Sequence, residues 1–219
     1  MSKAVIFDAD GTILDTITTI SYYVNETLKE FGHSTIEEQR YNYLLGYGAN
    51  HLIKEALREV GAPLDDAYVE KVLNRYNEKY NANTSYLTKA FDGVDELLVK
   101  LRKKDCKLAV LSNKPDPTLQ LVVEEIFGQG VFDIAMGQME NIRKKPDPEG
   151  VNLILEKLGI DRTDTYFIGD TEVDIETGKN AQVKTIGVTW GFRTEEEVRR
   201  EKPDYLAREV SEILDIIGG

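Results

Sequence analysis

Short apolar runs alternate with longer segments of helical spacing along most of the chain. The runs are too short for helices and several are β-branched, so they predict buried strands at 4–7, 108–111, 132–136, 166–168 and 185–188. Between them, apolar residues recur at i, i+3, i+4 and i+7, as expected for helices that cover one face of a sheet. This alternation predicts an α/β protein with a parallel sheet.

Residues 15–88, called the cap segment below, break the alternation. They contain three successive helical faces with no strand candidate between them, and they hold 9 of the 11 tyrosines. We therefore predict a helical domain inserted after the first strand. The remaining residues, 1–14 and 89–219, form the predicted α/β core.

Composition and charge narrow the range of partners. The chain has 219 residues, of which 41% are hydrophobic, and a formal net charge of −12. An acidic chain disfavours a nucleic-acid partner, and no apolar run approaches the ~20 residues that a membrane span needs. The single cysteine, Cys106, excludes an internal disulfide, and no secretory apolar region follows the N-terminus. A cytoplasmic protein is expected.

Aspartates, hydroxyl-bearing residues, an asparagine and a lysine lie close to the ends of the predicted strands. They are Asp8, Asp10 and Thr12 after the first strand, Ser112 and Asn113 after the second, Lys145 before a helix predicted near residue 148, and Asp170 and Asp174 after the fourth strand. In open parallel sheets, ligands bind beyond the carboxyl ends of the strands. These side chains are therefore expected to meet at one edge of the sheet.

The residue types at this edge indicate phosphoryl transfer. Four carboxylates repel one another unless a cation neutralises them, and Mg²⁺ takes one or two carboxylates together with phosphate oxygens and water. A lysine suits a phosphate as a point charge. Ser112 lies where a strand leads into a helix, so its hydroxyl and the neighbouring N–H groups can hold phosphate oxygens.

Four segments in this order resemble the motifs of the haloacid dehalogenase superfamily. They are Phe7-Asp8-Ala9-Asp10-Gly11-Thr12, Ser112-Asn113, Lys145-Pro146, and Gly169-Asp170 followed after three residues by Asp174. The resemblance covers the whole chain. It implies a Rossmann-like three-layer core with a parallel sheet and an inserted all-helical cap, which phosphatases of this superfamily carry just after the first motif.

The resemblance also implies catalytic roles. Asp8 would be the nucleophile that forms an aspartyl-phosphate, and Asp10 would protonate the leaving oxygen and later accept a proton from water. Ser112 and the backbone amide of Asn113 would bind the phosphate. Lys145 would neutralise the phosphate charge and orient Asp8.

The cofactor implied by the resemblance is Mg²⁺. Its ligands would be Asp8, the backbone carbonyl of Asp10, and Asp170, with Asp174 supporting them. Asp174 has an alternative interpretation as a cap of the following helix. Thr12 is either the end of a turn or a residue near the phosphate. The presence of Asp10 favours a phosphatase over the metal-independent dehalogenases of the superfamily.

Within the cap segment, two glycines interrupt the helical pattern at residues 45–51. The segment is either a helix–helix turn or a specificity loop over the site, in which case Gly46, Asn50 and His51 would contact the substrate. A similar G-x-G loop occurs in phosphoglycolate phosphatase-like members. Trp190 and Phe192, after the fifth strand, are expected to pack against the edge of the sheet.

Together these expectations describe a Mg²⁺-dependent phosphatase of the phosphoglycolate phosphatase-like subfamily. Its substrate would be a small phosphorylated metabolite, and the protein would be a monomer or weak homodimer. Relatives of the β-phosphoglucomutase and pyrophosphatase type remain alternatives on the same fold, although Thr12 favours hydrolysis. A phospho-aspartate receiver module is a further alternative, but receiver domains are shorter and have no cap. A catalytically silent binding homologue is the last alternative.

Overall fold

The computed structural model describes residues 2–218 and places eight strands in them. They are β1 (Ala4–Phe7), β2 (Leu14–Asp15), β3 (Lys89–Ala90), β4 (Lys107–Pro115), β5 (Ile134–Gln138), β6 (Thr165–Gly169), β7 (Lys184–Val188) and β8 (Tyr205–Ala207). Six of them form one sheet in the order β5-β4-β1-β6-β7-β8. Every neighbouring pair in this sheet is parallel.

Helices connect the strands of the sheet and also occupy the cap segment. They are α1 (Ile17–Glu30), α2 (Ala49–Glu59), α3 (Asp66–Asn81), α4 (Val94–Lys103), α5 (Asp116–Phe127), α6 (Glu149–Leu158), α7 (Glu172–Asn180), α8 (Glu195–Arg200) and α9 (Val210–Gly218). Short 3-10 helices lie at Glu38–Tyr43 and Arg162–Asp164. Helices α4, α5 and α6 lie between the predicted strands, where the helical spacing of apolar residues indicated helices.

Strand β1 is the centre of the core because its side chains are buried on both faces of the sheet. Val5 and Phe7 belong to a cluster with apolar residues of α4, α5 and α9. Ala4 and Ile6 belong to a cluster on the opposite face with residues of α6. Helices on both faces of a parallel sheet make three layers, so the predicted α/β, Rossmann-like core is confirmed.

The cap segment has an apolar cluster of its own, built mainly from α1, α2 and α3. Its two connections to the core run side by side, because β2 pairs with β3 in an antiparallel ribbon through Leu14–Ala90 and Asp15–Lys89. This ribbon lies at the ends of the segment predicted as the inserted domain. The division into 15–88 and the remaining residues stays a prediction.

The strand predictions differ from the structure at the edges of the sheet. Strand β5 begins two residues later than the predicted 132–136 run, and β8 was not predicted. A strand of three residues, Tyr205–Ala207, is too short to show a pattern, and two of the three are not fully buried. No helix within residues 2–218 is both long and apolar enough to cross a bilayer.

Candidate active site

Three carboxylates meet at the carboxyl end of the sheet. Asp8 directly follows β1, Asp170 directly follows β6, and Asp174 lies in the first turn of α7. All three are buried, and one oxygen of each lies within 4.8 Å of the others. The sheet therefore brings together the acids that the sequence places after two different strands.

The electrostatics of these carboxylates fit a bound divalent cation. Burial, reinforced by the charge of Asp174, raises the pKa of Asp8 to about 7. Burial also raises the pKa of Asp170 well above its ordinary value, and the charges of Asp174 and Asp8 add to this effect. Buried carboxylates that repel one another in this way are stabilised by a hard cation with oxygen ligands.

Lys145 supplies the positive charge closest to these carboxylates. Its ammonium nitrogen lies 2.7 Å from Asp8 Oδ1 and 2.7 Å from Asp174 Oδ1. Burial alone would lower the pKa of Lys145, but the charges of Asp174 and Asp8 raise it above its ordinary value. The side chain of Asn113 holds the loop, since its Oδ1 accepts from Lys145 N at 2.9 Å and its Nδ2 donates to Lys145 O at 3.1 Å.

Asp174 has a second task besides its contact with Lys145. Its Oδ2 accepts hydrogen bonds from Thr171 N at 3.0 Å and Thr171 Oγ1 at 2.7 Å. Thr171 and Asp174 thereby form a capping box at the start of α7. The helix-cap interpretation of Asp174 is thus observed in the structure, while its role toward a metal stays a prediction.

Asp170 is fixed by two donors and by a glycine. Thr12 Oγ1 donates to Asp170 Oδ1 at 3.0 Å, and the backbone N–H of Phe192 donates to Oδ2 at 2.7 Å. Gly11 has a φ of +83°, and a Cβ at this position would lie 2.4 Å from Asp170 Oδ2. Glycine is therefore required where the first motif passes Asp170. Thr12 thus orients Asp170, and its place near a phosphate stays a prediction.

The side chain of Asp10 is not part of the group of three carboxylates and pairs with Lys114, to which the sequence assigned no role. The Lys114 ammonium lies 3.1 and 3.2 Å from the two carboxylate oxygens of Asp10. It also lies 4.6 Å from the centre of the Tyr80 ring. Burial would lower the pKa of Lys114, but the Asp10 charge raises it well above its ordinary value. Its position directly after Ser112 and Asn113 was the available signal.

A cavity of about 50 Å³ lies between the carboxylates and the cap segment. From the core it is lined by Asp8, Asp10, Ser112, Asn113, Lys114 and Lys145. From the cap segment the apolar residues are Ile20, Leu45, Ala49, Leu52, Tyr76 and Tyr80, accompanied by Gly46, Gly48 and Asn77. The predicted catalytic and phosphate-binding residues thus share one cavity, which the cap segment covers.

The glycine loop of the cap segment reaches the site, but the two polar residues after it do not. The carbonyl of Gly46 accepts a hydrogen bond from Asn113 Nδ2 at 3.0 Å. Gly48, with a φ of +88°, passes so close that a Cβ would lie 2.8 Å from the carbonyl oxygen of Asn113. Asn50 is exposed, His51 packs on the ring of Tyr47 at 5.0 Å, and neither lines the cavity.

Comparisons with known proteins agree with this arrangement. A family model described as haloacid dehalogenase-like hydrolase matches residues 5–188. The chain belongs to this family. A phosphoglycolate phosphatase of Pectobacterium atrosepticum is 28% identical over 99% of this chain and 92% of its own length. An N-acetylmuramic acid 6-phosphate phosphatase of Pseudomonas aeruginosa is 29% identical over 98% of this chain and 94% of its own.

The fold of this haloacid dehalogenase-like hydrolase also occurs in solved structures. A chain from Lactobacillus delbrueckii subsp. bulgaricus, provisionally assigned as a phosphoglycolate phosphatase, superposes with a TM-score of 0.93. The two chains are 31% identical, and the match covers 99% of each. The predicted superfamily and the predicted enzyme class, a phosphomonoester hydrolase, are confirmed.

In this hydrolase the loop after β7 contacts both the carboxylate cluster and the cap segment. This position corrects the expectation for Phe192. Phe192 does not pack against the sheet edge; it packs in the apolar cluster of the cap segment and lines the cavity. Trp190 packs on the core cluster and donates from Nε1 to the carbonyl of Thr12 at 3.0 Å. Phe192 could not be assigned from sequence because its partners are more than 100 residues earlier in the chain.

Arg193, the next residue, is a second contact between core and cap that sequence reasoning missed. Its guanidinium donates to both carboxylate oxygens of Glu172, at 2.8 and 2.9 Å. It also donates to the carbonyls of Asn42 and Leu45 in the cap segment. The side chain is 8% exposed. A buried arginine that satisfies carbonyls of another segment fixes where that segment lies.

Replacing Arg193 with methionine is expected to lower the free energy of unfolding by about 2–3 kcal/mol, because Glu172 and two carbonyls lose their charged donor. Urea denaturation measures the change. The matched control is Arg199→Met, whose ion pair with Glu195 is exposed, so its effect is expected to be within about 0.5 kcal/mol. Equal effects of the two substitutions would contradict the assigned role of Arg193.

Proposed function

We propose that this enzyme hydrolyses a small phosphomonoester, similar in size to phosphoglycolate, through an aspartyl-phosphate on Asp8, with Mg²⁺ as cofactor. The observation that carries the proposal is the position of the Asp8 carboxylate at the edge of the cavity. It lies 2.7 Å from the Lys145 ammonium and within 4.8 Å of oxygens of Asp170 and Asp174. A carboxylate nucleophile needs positive charge beside it to approach a phosphate dianion. The Lys145 ammonium supplies one such charge, and a cation held by the three carboxylates would supply another.

The first half of the reaction transfers the phosphoryl group to the enzyme. An Asp8 oxygen attacks phosphorus while the bond from phosphorus to the ester oxygen breaks, and Asp10 gives its proton to that oxygen as the alcohol leaves. The hydroxyl of Ser112 and the backbone N–H of Asn113 bind phosphate oxygens. Lys145 neutralises charge on the transferring group and keeps Asp8 in place.

The second half regenerates the enzyme. Asp10, now a carboxylate, accepts a proton from a water molecule as the water oxygen attacks phosphorus of the aspartyl-phosphate. The bond between phosphorus and the Asp8 oxygen breaks, and inorganic phosphate leaves. Lys114 holds the Asp10 carboxylate in position through both oxygens. Asp10 thus lies beside the cavity and outside the carboxylate cluster.

Asp8, Asp170 and the Asp10 carbonyl would hold Mg²⁺, and Asp174 would support them. When bound, the ion supplies positive charge that neutralises the acids and the phosphate oxygens. The remaining predictions belong to this proposal: a cytoplasmic location, a small phosphorylated metabolite as substrate, and a monomer or weak homodimer.

The proposal is tested by metal-dependent hydrolysis of p-nitrophenyl phosphate, a generic aryl ester. With Mg²⁺ present, release of nitrophenol and phosphate in equal amounts is expected. Removal of divalent ions by EDTA is expected to reduce the rate to background, and added Mg²⁺ to restore it. No turnover under any metal condition would favour the silent binding homologue. Isomerisation of a hexose 1-phosphate without phosphate release would favour a mutase.

A further inference from the structure

Residues 190–193, called the linking loop below, follow β7 and enclose Asp170 from one side. The backbone N–H of Phe192 donates to Asp170 Oδ2 at 2.7 Å. A Cβ at Gly191 would lie 2.3 Å from the same oxygen and 2.4 Å from the carbonyl oxygen of Gly11. Glycine at position 191 therefore lets the backbone approach the carboxylate this closely. Asp170 is held between the linking loop and the first motif.

The same loop also holds the cap segment. The ring of Phe192 packs in the apolar cluster of the cap segment and lines the cavity. The guanidinium of Arg193 donates to the carbonyls of Asn42 and Leu45, which lie just before the two glycines of the cap segment. Two successive residues therefore bind a carboxylate of the core on one side and the cap segment on the other.

Glu172 provides a second connection between the same two parts. It lies two residues after Asp170, and its carboxylate accepts from Arg193 at 2.8 and 2.9 Å. The hydroxyl of Tyr47, between the two glycines, donates to Glu172 Oε1 at 3.2 Å. Neither Glu172 nor Arg193 is among the residues that line the cavity. Their contribution is to position the loop of the cap segment that does line it.

We infer that Phe192 and Arg193 are positioning residues that couple Asp170 to the docked cap segment, so that binding of a cation and docking of the cap segment favour each other. The inference rests on the proposed function, in which Asp170 is a ligand of Mg²⁺. A metal ligand depends on the groups that hold it in place. Displacement of the cap segment would shift the linking loop and loosen the N–H bond to Asp170. Because the two events are linked, the effect is mutual.

The first test measures the affinity for Mg²⁺ by calorimetry, which needs no substrate. Arg193→Met is expected to weaken Mg²⁺ binding by about threefold to tenfold. The direction distinguishes positioning from charge, because loss of a positive charge would by itself strengthen the binding of a cation. Unchanged or tighter binding by folded Arg193→Met protein would overturn the inference. Arg199→Met, whose ion pair is exposed, is the control and should leave the affinity unchanged.

Phe192→Ala keeps the backbone N–H and changes no charge, so it removes only the contact with the cap segment. It is expected to weaken Mg²⁺ binding by about threefold or more. The matched control is Leu57→Ala, which removes a fully buried side chain from the same cluster, away from the cavity. This control should lower stability and leave the Mg²⁺ affinity of the folded protein unchanged. Equal losses of affinity in the two variants would contradict the inference.

The reverse effect is measured by hydrogen exchange of a peptide that covers residues 42–48. Mg²⁺ should slow the exchange of this peptide by about threefold or more in the native protein, but by less than about twofold in Arg193→Met. Equal slowing in both proteins would contradict the coupling.

Asp170→Asn separates the inference from the proposed function. If the native protein and Asp170→Asn bind Mg²⁺ equally, the proposed metal site is wrong and the inference fails with it. If Asp170→Asn binds more weakly while Phe192→Ala and Arg193→Met bind like the native protein, only the inference fails. Weaker binding by all three variants, with both controls unchanged, is the expected result.

Discussion

The substitution Asp8→Asn is expected to lower the turnover of p-nitrophenyl phosphate by about 10⁴-fold or more, because an amide cannot form the aspartyl-phosphate. The same substitution should not destabilise the metal-free protein. Asp8 is buried beside Asp174, and both burial and that charge raise the pKa of Asp8. Removing a buried like charge therefore leaves the free energy of unfolding unchanged or raises it.

Two measurements separate these effects. Phosphate release reports the loss of activity, and thermal unfolding in EDTA reports stability. Asp92→Asn is the control, since Asp92 is an exposed aspartate outside the cavity, and it should keep both activity and stability. Full activity of Asp8→Asn would contradict the proposal that Asp8 is the nucleophile. Loss of activity accompanied by a large drop in the unfolding temperature would mean that Asp8 serves mainly to hold the fold.

Replacing Lys145 with methionine is expected to lower the free energy of unfolding by about 3–5 kcal/mol in EDTA, because removal of one partner leaves buried charges uncompensated. The change would leave Asp8 and Asp174 buried without the ammonium that contacts both of them. Catalysis should fall as well, since the charge that orients Asp8 is gone. Urea denaturation and phosphate release measure the two effects.

The neighbouring residue provides the matched control. Lys144 is exposed, and its ammonium donates to the carbonyl of Tyr47 at 3.3 Å. Lys144→Met is expected to change stability by no more than about 0.5 kcal/mol. Added Mg²⁺ should recover part of the stability lost in Lys145→Met, since a cation that binds the folded state stabilises it. Similar losses for both lysines would contradict the paired arrangement around Lys145.

The grouping of these polar residues at one edge of the sheet was predictable from sequence because of how parallel sheets are built. Asp8 and Asp170 directly follow strands and Ser112 lies among the last four residues of β4, and the carboxyl ends of neighbouring strands are close in space. Recognising three short apolar runs was therefore enough to bring these residues together. Assigning Lys145 to this edge also required the family resemblance, because Lys145 precedes a helix and does not directly follow a strand.

Lys114 and Arg193 were missed for a different reason. They are two of 27 basic residues, and their sequence neighbours do not reveal that both side chains are almost fully buried. Burial of a charged side chain depends on which carboxylate the fold brings to it. Asp10 is 104 positions before Lys114 along the chain. Such a pairing is a property of the tertiary structure and has no local pattern.

The residues of the cap segment that line the cavity could not be identified from sequence either. Asn50 and His51 were the natural candidates because they are polar and follow the glycine loop. Instead, Ala49 and Leu52 of the same helix line the cavity, and Asn77 and Tyr80 come from α3. Their helical spacing indicates a buried face, but it does not say whether that face covers a core or a substrate.

The ribbon between β2 and β3 has a consequence for how such an enzyme changes over evolutionary time. The ends of the cap segment leave and re-enter the core as paired neighbours, so its two attachment points lie together. An inserted domain attached in this way can be exchanged for another without altering the strand order of the parent sheet. The carboxylate cluster and Lys145 belong to that sheet and its loops, whereas most of the apolar lining of the cavity belongs to the cap segment. Substitutions in the cavity lining of the cap segment and substitutions in the carboxylate cluster can therefore accumulate independently of each other.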